Sequence, residues 1–184
     1  GWIGLGRDLP LAFSGGRLVS FDTEEGLPSV VPAALSLGLS GLGLFHTEVG
    51  GAKTALRGAR SLECYLRWME LAAFGPVFRL RDPSRQDKRL DPELEARALA
   101  QLARMTEVHA ALKPYHLQAA EEYRERGLPA IRHASVEYGD VAELHGRDYQ
   151  YLYGRDLLVA PALAPEREFT ELYLPEDEWV HLWS

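Results

Sequence analysis

Ser36-Leu37-Gly38-Leu39-Ser40-Gly41-Leu42-Gly43-Leu44-Phe45-His46-Thr47-Glu48-Val49-Gly50-Gly51 is the stretch that decides the fold. A helix end rich in small residues runs into a short apolar strand, Leu42 to Phe45. The strand stops on the polar trio His46-Thr47-Glu48, and a glycine pair follows. Polar side chains at the carboxyl end of a buried strand, with a glycine turn just beyond, are how a β/α barrel presents reactive groups at its top face. Glycine there lets backbone approach a ligand closely or take a positive φ.

Outward from this stretch the chain separates into three parts. Residues 1 to about 91 alternate short apolar strands with helices, the rhythm of an α/β architecture. The pattern predicts a helix over Leu27–Leu39, with Pro28 in its first turn where proline is tolerated. A second helix is expected over Arg60–Phe74 and a strand over Val77–Leu80, parallel to Leu42–Phe45. Asp91–Arg126 is the clearest helical run, with Asp91-Pro92 as its cap, Gly127 as its stop and Lys113-Pro114 as a break. After Pro129 the texture becomes β-like, in short runs over Ala130–Tyr138, Tyr149–Leu152, Leu157–Ala160, Phe169–Leu174 and Trp179–Trp183. The expected division is residues 1–128 as an α/β unit and 129–184 as the opening of an antiparallel β-domain.

Composition removes several classes of function. The 184 residues are 46% hydrophobic with a formal charge of −7. No basic stripe offsets that charge, which excludes nucleic acid as the natural partner. The apolar runs are interrupted before the roughly 18 residues of a membrane span, so no membrane partner is expected. The chain starts at Gly1 without a signal pattern and reads as a partial segment. Cys64, the only cysteine, fits a packed core thiol, and a cytoplasmic setting is the expectation.

The apolar and glycine pattern resembles glycoside hydrolase family 31, the α-glucosidase and sulfoquinovosidase family. In that family the strand corresponding to Leu42–Phe45 ends in an Asp, a hydrophobic residue and two glycines. Arg60-Ser61, Glu63, Leu66-Arg67-Trp68, Ala73-Phe74 and Pro76 resemble its last barrel helix and strand. Gln150-Tyr151-Leu152, Gly154-Arg155-Asp156 and Leu157-Leu158-Val159-Ala160-Pro161 resemble its passage into a β-sandwich, and Tyr173-Leu174-Pro175 with Trp179 and Trp183 resembles the strands after it. The resemblance therefore implies the C-terminal portion of a (β/α)8 TIM barrel followed by the start of an antiparallel β-sandwich. It also implies a retaining α-glycosidase with a carbohydrate substrate and no cofactor. Ser29–Leu37 and Pro175–His181 are most similar to the sulfoquinovosidase-like branch.

Set against the family pattern, three polar positions depart. Retention uses two carboxyl groups about 5–5.5 Å apart, a nucleophile and an acid/base. The resemblance puts the nucleophile upstream of residue 1. It puts Phe13 at the family's Trp position, Gly15 at the glycine before the acid, and Gly16 at the acid/base itself, where glycine has no proton to transfer. Glu48 replaces the Asp before the double glycine, and Arg81 replaces the His that follows the last barrel strand. Ala52 stands where sulfoquinovosidases carry a Tyr that helps hold the sulfonate. The residues expected to face substrate are Phe13, His46, Glu48 and Arg81, and an ion pair between Glu48 and Arg81 is expected where they meet.

Other residues admit two readings. Asp22, Glu24 and Glu25 form an acidic turn that either replaces the missing acid or caps the next helix. His46 and Glu48 share a strand face, but no further His or Cys lies close in sequence, so no metal is expected. The run Arg79, Arg81, Arg85, Lys88 and Arg89 either holds an anionic sugar or is a solvated loop balanced by Asp82, Asp87 and Asp91. Trp68, at helical spacing with Tyr65 and Leu71, reads as core. A carbohydrate-cleaving enzyme and a non-catalytic relative with a sugar-binding or structural role are the two functions that fit.

Overall fold

The structure is a computed structural model that describes residues 11–50, 61–80 and 92–183. Strand β1 (Ala12–Phe13) lies parallel to β2 (Phe45–His46), with Ala12 opposite Phe45 and Phe13 opposite His46. Strand β3 (Glu48–Val49) lies parallel to β4 (Arg79–Leu80), with Glu48 opposite Arg79 and Val49 opposite Leu80. β2 and β3 are one extended stretch interrupted at Thr47, so it pairs with one neighbour before the interruption and another after it.

These strands are shorter than expected, and the parallel partner of β4 is the stretch beyond Thr47 rather than Leu42–Phe45. The cause is local. Gly41 has φ +88°, and Leu42 donates its amide back to Leu37 at 2.9 Å. The Gly43 carbonyl accepts from Ala130 at 2.8 Å, and the pairing with β1 begins only at the Leu44 carbonyl, which accepts the Ala12 amide at 2.7 Å. Gly43 is also where the chain is approached most closely: a methyl built on it would lie 2.2 Å from a ring carbon of Tyr123.

The expected helix over 27–39 begins as a 3-10 turn, Leu27–Ser29, and becomes helix α1 (Val30–Leu39). Helix α2 (Leu62–Ala73) starts at Ser61, whose Oγ accepts from the Cys64 amide at 3.3 Å, a standard N-cap. Its buried face carries Cys64, Tyr65, Trp68, Met69 and Leu71, which pack with Leu27, Phe45 and Val49 in one core. Burial pushes the Cys64 thiol up to about 12, the behaviour of an inert core cysteine. The long helical run divides as its proline requires, into α3 (Pro92–Ala111) and α4 (Lys113–Arg126). Pro114 cannot donate an amide. α4 stops at Gly127, φ +74°, whose amide caps the Tyr123 carbonyl at 2.8 Å. Among the described residues no helix is long and apolar enough to cross a membrane.

The C-terminal part is a three-stranded antiparallel sheet, β5 (Ile131–Arg132), β6 (Tyr151–Tyr153) and β7 (Leu157–Val159), in the order β5-β6-β7. Three expected strands are corrected. Ala130–Tyr138 is a strand only at β5, and then the chain turns into helix α5 (Ser135–Tyr138), with the Ser135 amide donating to His133 Nδ1 at 3.3 Å. Phe169–Leu174 pairs with no strand because the Gln150 side chain takes its place: Nε2 donates to the Tyr173 carbonyl at 3.0 Å and Oε1 accepts the Tyr173 amide at 2.9 Å. Trp179–Trp183 is held by side chains, with the Trp179 indole on the Pro175 carbonyl at 2.9 Å and Trp183 edge-on to Phe74. The sandwich expected for residues 129–184 is thus three strands and an extended tail in the described residues.

The sheet is fastened to the helices by charge. The fully buried Arg132 side chain pairs with Glu137 of α5 at 2.8 Å and with Glu122 of α4, and Glu122 also takes Arg126 at 2.9 Å. Removing one member of a buried pair leaves its partners uncompensated. Arg132→Met is expected to lower the unfolding free energy by about 3 kcal/mol, toward the smaller end of the range for buried pairs because both glutamates keep some solvent contact. The urea midpoint, read with an unchanged m-value, measures it.

Candidate active site at the strand ends

The parallel strands set four polar or aromatic side chains in two pairs, Phe13 with His46 and Glu48 with Arg79. Phe13 ends β1 and His46 ends β2, and their pairing in register stacks the two rings at 5.0 Å and 28°. Phe13 keeps 46% of its surface exposed while His46 keeps 7%. The imidazole therefore backs a phenyl ring whose outer face is open. Burial holds His46 below the usual histidine range. The Thr47 backbone opposes that shift, the Arg79 charge adds to it and Glu48 opposes it. His46 is neutral at pH 7, and its Nδ1 is buried without a well-formed hydrogen bond.

Glu48 lies opposite Arg79 in the β3–β4 ladder, and Arg79 Nε is 3.1 Å from Glu48 Oε1. The glutamate is mostly covered and the arginine mostly exposed. This is the ion pair the structure describes at the site, whereas the sequence pointed to Arg81. Arg81 and Ala52 lie outside the described residues, so the expected meeting of Glu48 with Arg81 does too.

Gly16 follows the end of β1. Gly15 takes φ +79° with open space where a Cβ would sit, and Ser14 donates its amide to the His46 carbonyl at 3.0 Å. Arg17 fixes the far side of this loop, donating from Nε to the Ser14 carbonyl at 3.1 Å and from Nη1 to Glu24 O at 3.1 Å and Ser29 Oγ at 2.8 Å. Asp22 closes its own turn. Its Oδ1 accepts the Glu24 amide at 2.9 Å and the Glu25 amide at 2.7 Å, and these bonds hold the carboxyl below its usual range. A carboxylate stabilised in its charged form is a poor proton donor, so Asp22 belongs to the turn.

One supporting residue escaped the sequence. Thr47 is buried between β2 and β3, and its Oγ1 accepts the Trp68 indole N–H at 2.9 Å and lies 3.4 Å from Ser14 Oγ. A contact across 21 residues leaves no local pattern to read. Trp68 is fully buried, in agreement with its reading as core. Among the described residues no group of three His, Cys, Asp or Glu side chains is placed to hold a metal ion.

Residues 2–119 match the profile of the glycosyl hydrolases family 31 TIM-barrel domain, and residues 127–184 match that of the family 31 C-terminal domain. The chain belongs to glycosyl hydrolase family 31. Among family 31 proteins it is 41% identical over 174 residues to the sulfoquinovosidase of Escherichia coli K12, covering 95% of this chain and 26% of the relative. It is 37% identical over 185 residues to the sulfoquinovosidase of Agrobacterium fabrum, covering 100% and 28%. A solved family 31 sulfoquinovosidase from E. rectale, in complex with an aza-sugar inhibitor, superposes with a TM-score of 0.87 at 36% identity, covering 94% of this chain and 26% of that one. The chain thus spans about a quarter of the length of these relatives.

Thr47→Val keeps the shape and removes the acceptor, which strands a buried indole N–H. The expected cost is about 1–3 kcal/mol, with Thr47→Ser retaining most of the stability. Urea unfolding of the two variants, followed by Trp fluorescence, tests this.

Proposed function

We propose that this chain is the sugar-contacting part of a family 31 retaining α-glycosidase of the sulfoquinovosidase-like branch, and that it lacks the proton donor of the reaction. The observation that carries the reading is the gathering of Phe13, His46 and Glu48 at the ends of neighbouring parallel strands. In this reading residues 1–128 complete the barrel and 129–184 open the β-domain. The exposed face of Phe13 packs against a sugar ring, and the Glu48 carboxylate, paired with Arg79, accepts from sugar hydroxyls. Arg81 adds donors to the same ring of contacts.

The missing group decides how the site works. A positioned general acid contributes about 10²–10⁴-fold, and Gly16 supplies none. Bond cleavage then depends on how well the leaving alkoxide departs unprotonated. The second reading, a sugar-binding relative without turnover, is favoured by that glycine and by the tie between Glu48 and Arg79.

The test compares the isolated chain and the full-length protein, each with and without Gly16→Asp, on methyl α-glucoside and methyl α-sulfoquinovoside, whose alkoxide leaving groups need a proton. The isolated chain is expected to be inert in both forms, because the nucleophile of the covalent route lies elsewhere in the family pattern. In the full-length protein Gly16→Asp is expected to raise turnover by about 10²-fold or more. Turnover by the unmodified isolated chain would overturn the assignment. Binding of either sugar by the full-length protein with no gain from Gly16→Asp would select the non-catalytic reading.

A further inference from the structure

The helices meet the C-terminal sheet through a cluster remote from the strand ends. His109, near the end of α3, and His116, in the first turn of α4, lie with ring centroids 4.2 Å apart and planes tilted by 31°. His109 Nδ1 is 3.0 Å from the Ala73 carbonyl at the end of α2. His116 Nε2 is 2.9 Å from the His109 carbonyl. A carbonyl only accepts, so each of these nitrogens carries its proton. That leaves His116 Nδ1 bare, 2.5 Å from the Tyr153 phenol oxygen on β6, and the phenol donates to it. Tyr153 is fully buried, and burial keeps its hydroxyl protonated well above the ordinary phenol range.

The same joint is closed from the next residue. Tyr115 donates to the Tyr153 carbonyl at 2.8 Å and accepts the Asp156 amide at 2.9 Å. Its ring lies so close to Gly154 that a methyl there would meet the phenol oxygen at 2.5 Å. Every hydrogen bond in the set has one direction, and all are satisfied with His116 neutral. A proton on His116 Nδ1 would occupy the lone pair into which Tyr153 donates. The phenol would have to turn from donor to acceptor, which leaves its own buried O–H without the lone pair it now uses and places a positive charge against the His109 ring. The titratable and charged groups around the joint are His109 from α3, Tyr115 from α4 and Tyr153 from β6, with Asp156 and Arg132 acting through Tyr115. α2 contributes the Ala73 carbonyl, and Phe78 packs against His109 at 5.7 Å.

We propose that the His109–His116–Tyr153 stack is a proton-sensitive joint, which holds the C-terminal sheet to the helices while His116 is neutral and releases it when His116 is protonated. Burial and the neighbouring His109 ring hold His116 below the usual histidine range, with the His109 carbonyl opposing. The folded state therefore binds this proton less readily than the unfolded chain. Its contribution is complete above about pH 6.5 and is lost as pH falls below that value toward the folded-state pKa.

Two measurements on the full-length protein test the joint. Ring-nitrogen NMR should find His116 as the Nε2–H tautomer, titrating below an ordinary histidine, and Tyr153→Phe should move that titration upward. Hydrogen exchange, corrected for intrinsic rates, should show amides of residues 151–159 losing up to about tenfold in protection per pH unit below 6.5, while amides of α1 hold theirs. In His116→Gln the difference between the two sets should no longer depend on pH. A normal titration of His116, or equal loss of protection in the sheet and α1, would overturn the proposal. Tyr153→Phe supplies the titration test if His116→Gln fails to fold.

Discussion

The bond between the Trp68 indole and the Thr47 hydroxyl sets the geometry on which the strand ends depend. It sits in the core where the stretch from Phe45 to Val49 changes partners, from β1 on one side to β4 on the other. An indole N–H in that position needs an acceptor, and the hydroxyl that provides one is on the residue between His46 and Glu48. The helix that carries Trp68 is thereby coupled to the orientation of both flanking side chains. Ser14 reaches the same hydroxyl from the loop that carries Gly16. A single buried oxygen thus relates three pieces of chain that local sequence would leave independent.

Much of the fold was legible because its signals are local. Helix boundaries followed a Ser cap, a proline and a glycine with positive φ, each acting within a turn of its own position. The family pattern was legible because it rests on spacings of glycines and apolar residues around strand ends. The strands after Pro129 were harder for a physical reason. A β-type run states that a segment can be extended, but its partner is chosen elsewhere, and here Gln150 presents a side-chain amide that satisfies Tyr173 in place of a strand. Arg79 shows the same limit at the site. It was visible as one charge among several, yet only the register of β3 with β4 places it on Glu48.

The site sets a few polar groups on a continuous apolar framework. The apolar packing under the strand ends is continuous, from Leu27 through Phe45 and Val49 to Trp68. The polar groups above it are few: a buried imidazole held below its usual range and a carboxylate tied to a guanidinium.

The approach of Tyr123 to Gly43 has a consequence for how the sequence can vary. The ring occupies the space that any side chain at position 43 would need, and its hydroxyl reaches the Gly41 carbonyl at 2.7 Å. The two positions divide one volume, although 80 residues of chain separate them. A larger residue at 43 is compatible only with a smaller one at 123, so each is restrained by the other's size rather than by its own helix or strand preference. Steric exchange of this kind couples the approach to β2 with helix α4.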